Sequence, residues 1–475
     1  MEEIEIKSSR NYLLLNLFTL AVPVILYPLI TKSINPSEFG NYIFIQAIAT
    51  FIIAISNLGC LIGFKRNYFE CRSELNKYKL LNSIQLFILI ILFFIVSINF
   101  YFEDYIFKKI TQYSGKSYWG ILMLAISLDF ISKYYLSFLV NEKKSYQYCI
   151  FLFLKNFLYL FLALFLLFNN YQIFSLVYSL LVANVIIFLF ILIYQIRYNK
   201  IVFSIESVLN VLKISYPLIF RILLGQLNTK IDKIIITLLS VSANTGIYAI
   251  AQSIAYFIFQ LTTSLDKVFI TELNKKLFSG ITNIKNYLTP YLYISALSAL
   301  FIILFNDIIY FFLIDERYYG AENIIILLSL YYFSLFFGKI YGTQIIYLKK
   351  TWFAGNIFLL SIVINFFMSI FFINLIGFEG VAIATLFSSL IVLVIQKNYC
   401  KKFLNIKYER FGINFILISM VVISFFQYII INNYEFNVFS IFLIVKVIIF
   451  ILFIYLIQKL KFFDHKKFIY NFFKK

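Results

Sequence analysis

Hydrophobic positions along this chain come in runs of about twenty residues, the length that spans a hydrocarbon core as a helix. The segment "LLNSIQLFILIILFFIVSINF" (80–100) is one of them. Fourteen runs read as spans, at roughly 11–33, 41–63, 81–101, 117–140, 149–168, 172–195, 211–239, 245–266, 287–306, 321–346, 352–374, 378–397, 411–431 and 437–458. A helix satisfies its own backbone polar groups, as lipid requires. The pattern predicts an all-α polytopic membrane protein with about 14 transmembrane helices.

The pattern also repeats. "GNYIFIQAIA" (40–49) returns as "GIYAIAQSIA" (246–255), with five of ten positions identical at an offset of 206 residues. At the same offset "KKSY" (143–146) falls on "KKTW" (349–352), Lys133 on Lys339 and Tyr135 on Tyr341. Spans 1–6 therefore correspond to spans 7–12. Six is an even number, so both copies insert in the same orientation, as a parallel repeat about an axis along the membrane normal. The expected domains are an N-terminal six-helix lobe (1–200), a C-terminal six-helix lobe (207–402), and two extra transmembrane helices with a basic cytoplasmic tail (403–475).

Composition agrees with the pattern. Of 475 residues, 62% are hydrophobic and 13% charged; a soluble domain carries about 45–50% and about 25%. The formal net charge of +19 is explained by where the basic residues sit. With the N-terminus inside, the inward segments carry 28 of the 41 Lys and Arg, the outward loops five, and the spans eight. That bias places both termini in the cytoplasm. It makes the charge a topology signal and not a nucleic-acid patch. The first apolar run is too long for a cleaved signal, and no small-residue cleavage pattern follows it. Cys60, Cys71, Cys149 and Cys400 show no paired spacing, and His465 is the single histidine, so no disulfide framework, metal site or cofactor is expected.

The eight intramembrane basic residues are the candidate chemistry, because charge in a span faces a cavity or a partner. Lys133 and Lys339 fall about halfway along spans 4 and 10, and Asp129 sits four residues before Lys133, where the two can pair. Span 7, "YPLIFRILLGQLNTKIDKIIITLL", holds Arg221, Lys230, Asp232 and Lys233. Arg221, Gly225, Asn228 and Asp232 share one helix face, with the two lysines off that stripe. The excess of positive charge calls for an anion such as a diphosphate or a carboxylated sugar. Lys155 is expected to snorkel to the cytoplasmic end of span 5, and Lys446 either to snorkel or to pack on another helix.

"PVILYPLITKSINPSEFGNYIFIQAI" (23–48) resembles the entry of the bacterial polysaccharide-repeat-unit flippases, the O-antigen and capsule translocases. The segments 216–255, with its Pro, Asp-Lys and Gly-Ile-Tyr-Ala-x-Ala pattern, and "GFEGVAIATLFSSL" (377–390) resemble the same family. The resemblance covers the whole chain. It implies the multidrug/oligosaccharidyl-lipid/polysaccharide exporter fold and the transfer of a polyprenyl-diphosphate-linked oligosaccharide to the outer leaflet by alternating access. A cationic cavity of Arg221, Lys230, Lys233, Lys133 and Lys339 would hold the head group, with Asp129 and Asp232 as coupling or charge partners for Na+ or H+. A polysaccharide polymerase and chain-length proteins are expected partners. A lipid II flippase and a cation-coupled drug exporter are alternatives in the same superfamily. A polymerase enzyme is disfavoured, since the longest outward loops, 102–116 and 307–320, are short.

Overall fold

The computed structural model describes residues 2–102, 118–198, 203–216, 219–280, 285–320, 322–404, 410–433 and 441–459. Lys108, Lys109, Lys116, Lys200, Pro217, Lys407 and the tail from Leu460 lie outside them. Among the described residues the chain is α-helical, with two short 3-10 turns. The first eight helices are α1 (Glu2–Ser33), α2 (Pro36–Ser56), α3 (Cys60–Asn67), α4 (Glu74–Tyr101), α5 (Trp119–Asn141), α6 (Ser145–Phe168), α7 (Ile173–Tyr198) and α8 (Ile205–Ser215). The rest are α9 (Ile219–Leu239), α10 (Ser242–Phe278), α11 (Lys285–Leu313), α12 (Glu322–Tyr347), α13 (Thr351–Ile376), α14 (Glu379–Phe403), α15 (Arg410–Asn433) and α16 (Ile441–Lys459). Each predicted span has one principal helix. The additions are α3 and α8, and among the described residues ten helices are long and apolar enough on their own to cross a membrane.

The helix boundaries follow from local chemistry. Pro36 occupies the first turn of α2, where its missing N–H costs nothing. The Ser73 hydroxyl accepts from Asn76 N at 3.2 Å and starts α4. Ser204 does the same for α8, accepting from Ser207 N at 3.4 Å. Gly377, at φ 83°, takes the left-handed turn between α13 and α14 that a side chain would strain.

The chain divides into two compact units, Met1–Ile234 and Ile235–Lys475. Within the first, α5 packs on α2, α4 and α7, and α6 packs on α1 and α7. Within the second, α12 packs on α10, α11 and α14, and α13 packs on α14. At the offset of 206 these are the same pairs, apart from α6 with α1. The α5–α6 and α12–α13 corners make the same backbone bonds. Lys143 N donates to Val140 O (3.0 Å) and Lys144 N to Leu139 O (2.9 Å); Lys349 N donates to Ile346 O (2.9 Å) and Lys350 N to Ile345 O (3.2 Å). The parallel repeat is thus written in hydrogen bonds as well as in letters.

Three readings change. Span 7 is not one helix from residue 211: α8 ends at Ser215 and α9 begins at Ile219, flanking Pro217. Tyr216 still has helical backbone angles (φ −52°, ψ −47°), and the proline that follows it in the sequence has no N–H to continue the helical ladder. The inward segment after span 2 contains α3, a short helix absent from the prediction. The loop predicted from 307 is helical through Leu313, because the apolar run "IIYFFL" continues beyond Asp307.

Candidate functional site

The densest intramembrane charge lies on α9. Arg221 sits in its first turn, and its side chain lies outside the described residues. Asp232 is buried, and Gly225, Asn228, Lys230 and Lys233 are half-buried. The stripe predicted through Gly225, Asn228 and Asp232 is therefore set into protein at its Asp232 end. A carboxylate and two ammonium groups within four positions of one helix leave the segment positive without counting Arg221. All four charged residues of α9 belong to the first unit, together with Lys133 and Asp129; Lys339 belongs to the second.

On α5, Asp129 pairs with Lys133 one turn on, Nζ to Oδ2 at 2.7 Å. It also pairs, through its other oxygen, with Lys155 of α6. The prediction that Lys155 snorkels is corrected here: its ammonium turns to Asp129, because a nearby carboxylate competes with the distant headgroup layer. Asn156, the next residue on α6, donates to Thr19 Oγ1 at 2.9 Å and ties α6 to α1. Two ammonium groups share one carboxylate, so this cluster too carries one surplus positive charge.

The repeat-related lysines both lie over aromatic faces, by different routes. Lys133 Nζ stands 4.8 Å from the ring centre of Phe130 on its own helix. Lys339 Nζ stands 4.7 Å from that of Phe259 on α10. Phe259 belongs to an aromatic group with Tyr256 and Tyr332, at ring-centre separations of 5.3 and 6.0 Å. An aromatic face attracts a cation without neutralising it. Residue 335, the counterpart of Asp129, is leucine.

A buried polar node at the second unit's appended helices was missed by the sequence reading. Lys446 of α16, 2% exposed, forms an ion pair with Asp307 of α11. The neighbouring Asn306 accepts from Gln427 of α15 at 2.8 Å and donates to Glu322 O at 3.0 Å. The helix departs from helical geometry at Phe305, one residue earlier. Lys446 therefore packs on another helix and does not snorkel. The available signal was Lys446 itself: a lysine at the centre of "IFLIVKVIIFILF" needs an acid, and Asp307 is the acid.

The polysaccharide biosynthesis protein family matches residues 7–270. Among solved structures, the lipid II flippase MurJ in an inward closed conformation superposes with a TM-score of 0.73 at 19% identity, covering 99% of this chain and 100% of that one. An inward-facing multidrug resistance MATE family transporter of the MOP superfamily gives 0.63 at 14%, covering 82% and 98%. An outward-facing transporter of that family gives 0.57 at 13%, covering 83% and 95%. No curated protein matches the chain by sequence.

Proposed function

The chain belongs to the polysaccharide biosynthesis protein family, and on that premise we propose that it flips a polyprenyl-diphosphate-linked oligosaccharide repeat unit from the cytoplasmic to the outer leaflet. The product would feed O-antigen, capsule or exopolysaccharide synthesis. Its fold is that of the flippases and transporters of the MOP superfamily. The observation that carries the substrate reading is the family match, whose residues include Asp129, Lys133, Arg221, Lys230, Asp232 and Lys233.

The chemistry of those residues supports it. A diphosphate loses its hydration on entering a membrane protein, and only charge-assisted contacts replace that loss. The described lysines of α9 and of the Asp129 cluster leave positive charge over. Arg221, Lys230, Lys233, Lys133 and Lys339 are the proposed anion-binding set. Asp129 and Asp232 are the proposed coupling or charge partners for Na+ or H+, Asp129 being held between two ammonium groups. The lobe limits predicted above, the cytoplasmic placement of both termini in a bacterial inner membrane, and polymerase and chain-length partners belong to the same proposal.

A lipid II flippase is the second reading, supported by a likeness that takes in the whole chain, the appended helices included. The exporter reading gains an acid in Asp307, but that acid is paired with Lys446. Deletion of the gene in a strain without a second flippase tests the main proposal. The expected result is lipid-linked repeat units trapped in the cytoplasmic leaflet and loss of surface polymer. Normal surface polymer overturns it, and rescue of a strain depleted of its lipid II flippase selects the second reading.

A further inference from the structure

Helix α8 presents three adjacent stripes when its positions are wound at about 100° per residue. Val208, Val211 and Ser215 are buried, and α8 packs on α3 and α4. The fit to α3 is close: a side chain at Gly63 would put its Cβ 2.2 Å from Ser215 Oγ and 2.9 Å from Val211 O. Next to this buried stripe, Ile205 (67% exposed), Leu209 (59%) and Tyr216 (76%) line a second, apolar stripe. Beyond it, Glu206, Asn210 and Lys213 form a third, polar and exposed stripe.

A helix dissolved in water on its free side would be polar across that whole side. A helix buried in a span would have no charged stripe. The order buried, apolar-exposed, polar-exposed fits a helix at a corner where protein, hydrocarbon and water meet. Phe203, just before the helix, is half-exposed. The start of α8 is held at the side of α4, where Ser204 N donates to Ser83 Oγ at 2.8 Å, and α4 is long and apolar enough to cross the membrane. The apolar stripe thus belongs to a helix docked beside a candidate span. Lys213 borders it, placed for its stem to lie on acyl chains and its ammonium among headgroup phosphates.

We propose that α8 is an in-plane helix docked on the phospholipid headgroup boundary, with Ile205, Leu209 and Tyr216 in acyl chains and Glu206 and Asn210 in water. The segment joining the two repeated six-helix sets would then be anchored to one leaflet and not suspended in solvent. The proposal does not depend on what the protein transports.

The test is depth-resolved quenching of the full chain in phosphatidylcholine–phosphatidylglycerol nanodiscs. Cys71 and Cys149 are replaced by serine, and one environment-sensitive fluorophore is attached at Leu209→Cys or Asn210→Cys. The label at 209 should be quenched by doxyl-labelled phospholipid and shielded from iodide; the label at 210 should show the reverse. Equal iodide quenching at both sites overturns the proposal. So does a shielded 209 label that doxyl lipid leaves unquenched and dilution exposes, which would mean a second copy of the chain covers the face. Gly63→Leu, which displaces α8 from α3, should abolish the contrast between the two sites in protein that still elutes as a single folded species. A contrast that survives this change would show that α8 does not owe its placement to α3.

Discussion

Lys143 and Lys349, 206 residues apart, hold the same left-handed backbone conformation, at φ 59° and 58°. Each donates the first of two backbone hydrogen bonds that close the end of the preceding helix. The duplication has therefore preserved a backbone conformation that costs an L-residue about 1–2 kcal/mol. Lysine is kept at both corners, next to a helix C-terminus, where a cation offsets part of that cost. Lys143→Gly and Lys349→Gly should each raise thermal stability by a similar amount, at most about 1 kcal/mol. Unfolding of the purified protein followed by fluorescence checks this. A gain at one corner and a loss at the other would show that the two turns are not energetically equivalent.

The Asp307–Lys446 pair should behave as a buried pair, with Lys446 2% and Asp307 11% exposed. Removing either partner leaves an uncompensated charge, at about 3–5 kcal/mol. Asp307→Leu and Lys446→Met are each expected to lose folded protein sharply, while the double substitution recovers most of it. The reading is the yield of monodisperse protein after detergent extraction and heating. Equal losses in single and double variants would mean that the pair holds nothing together.

At the Asp129 cluster the order of damage follows from exposure. Asp129→Asn strands two ammonium groups side by side, whereas loss of either lysine leaves the carboxylate one partner. Lys133 is 45% exposed and Lys155 20%, so the Lys133 contact is the more weakened by screening. The expected order of stability loss is Asp129→Asn, then Lys155→Met, then Lys133→Met. Thermal melts of the three variants read it directly, and a larger effect at Lys133 than at Lys155 would refute the assignment.

Glu142, just past the end of α5, accepts hydrogen bonds from Tyr68 and Lys77. Burial alone would raise its pKa, but those bonds outweigh it and hold the carboxyl below its ordinary 4.5. A lowered value means the carboxylate contributes stability above pH 4.5, and that the contribution is lost as pH falls below it. On the alkaline side, burial first and then the bond to Glu142 push Tyr68 up to about 12 from 10.0, so its contribution is complete below pH 10 and fades toward 12. Glu142→Gln should flatten the acid limb of the stability–pH curve, and Tyr68→Phe the alkaline limb. Unchanged limbs would show that these groups titrate alike in the folded and unfolded chain.

The fourteen spans and the repeat were legible in the sequence because hydropathy and a fixed offset are properties of the chain itself. The charge partners were not, because hydropathy says that a residue enters the membrane and not which helix it meets. Lys155 and Asp129 are 26 positions apart and meet only across the α5–α6 hairpin. Asp307 looked like the start of a loop until Lys446, 139 positions later, supplied its reason to stay inside. Helix α8 was hidden differently: its apolar residues ran into those of α9, so that 211–239 read as one span.

The unequal surroundings of Lys133 and Lys339 lead to a prediction about transport. The repeat gives both units a lysine at the matching place, but the Asp129 of the first unit is Leu335 in the second. Asp129 already engages Lys133, and Lys339 stands over the Phe259 ring. Because part of the Lys133 charge is spent on Asp129, an anionic head group should depend on Lys133 less than on Lys339. In proteoliposomes reading the flipping of a lipid-linked oligosaccharide diphosphate, Lys339→Met should slow transport more than Lys133→Met does. Lys339→Glu should abolish it with normal membrane insertion, and Lys339→Arg should retain most of it, since a guanidinium stacks on the same ring. Equal effects of the two methionine substitutions would show that the units share the anion evenly. Wild-type flipping in Lys339→Glu would remove that residue from the site.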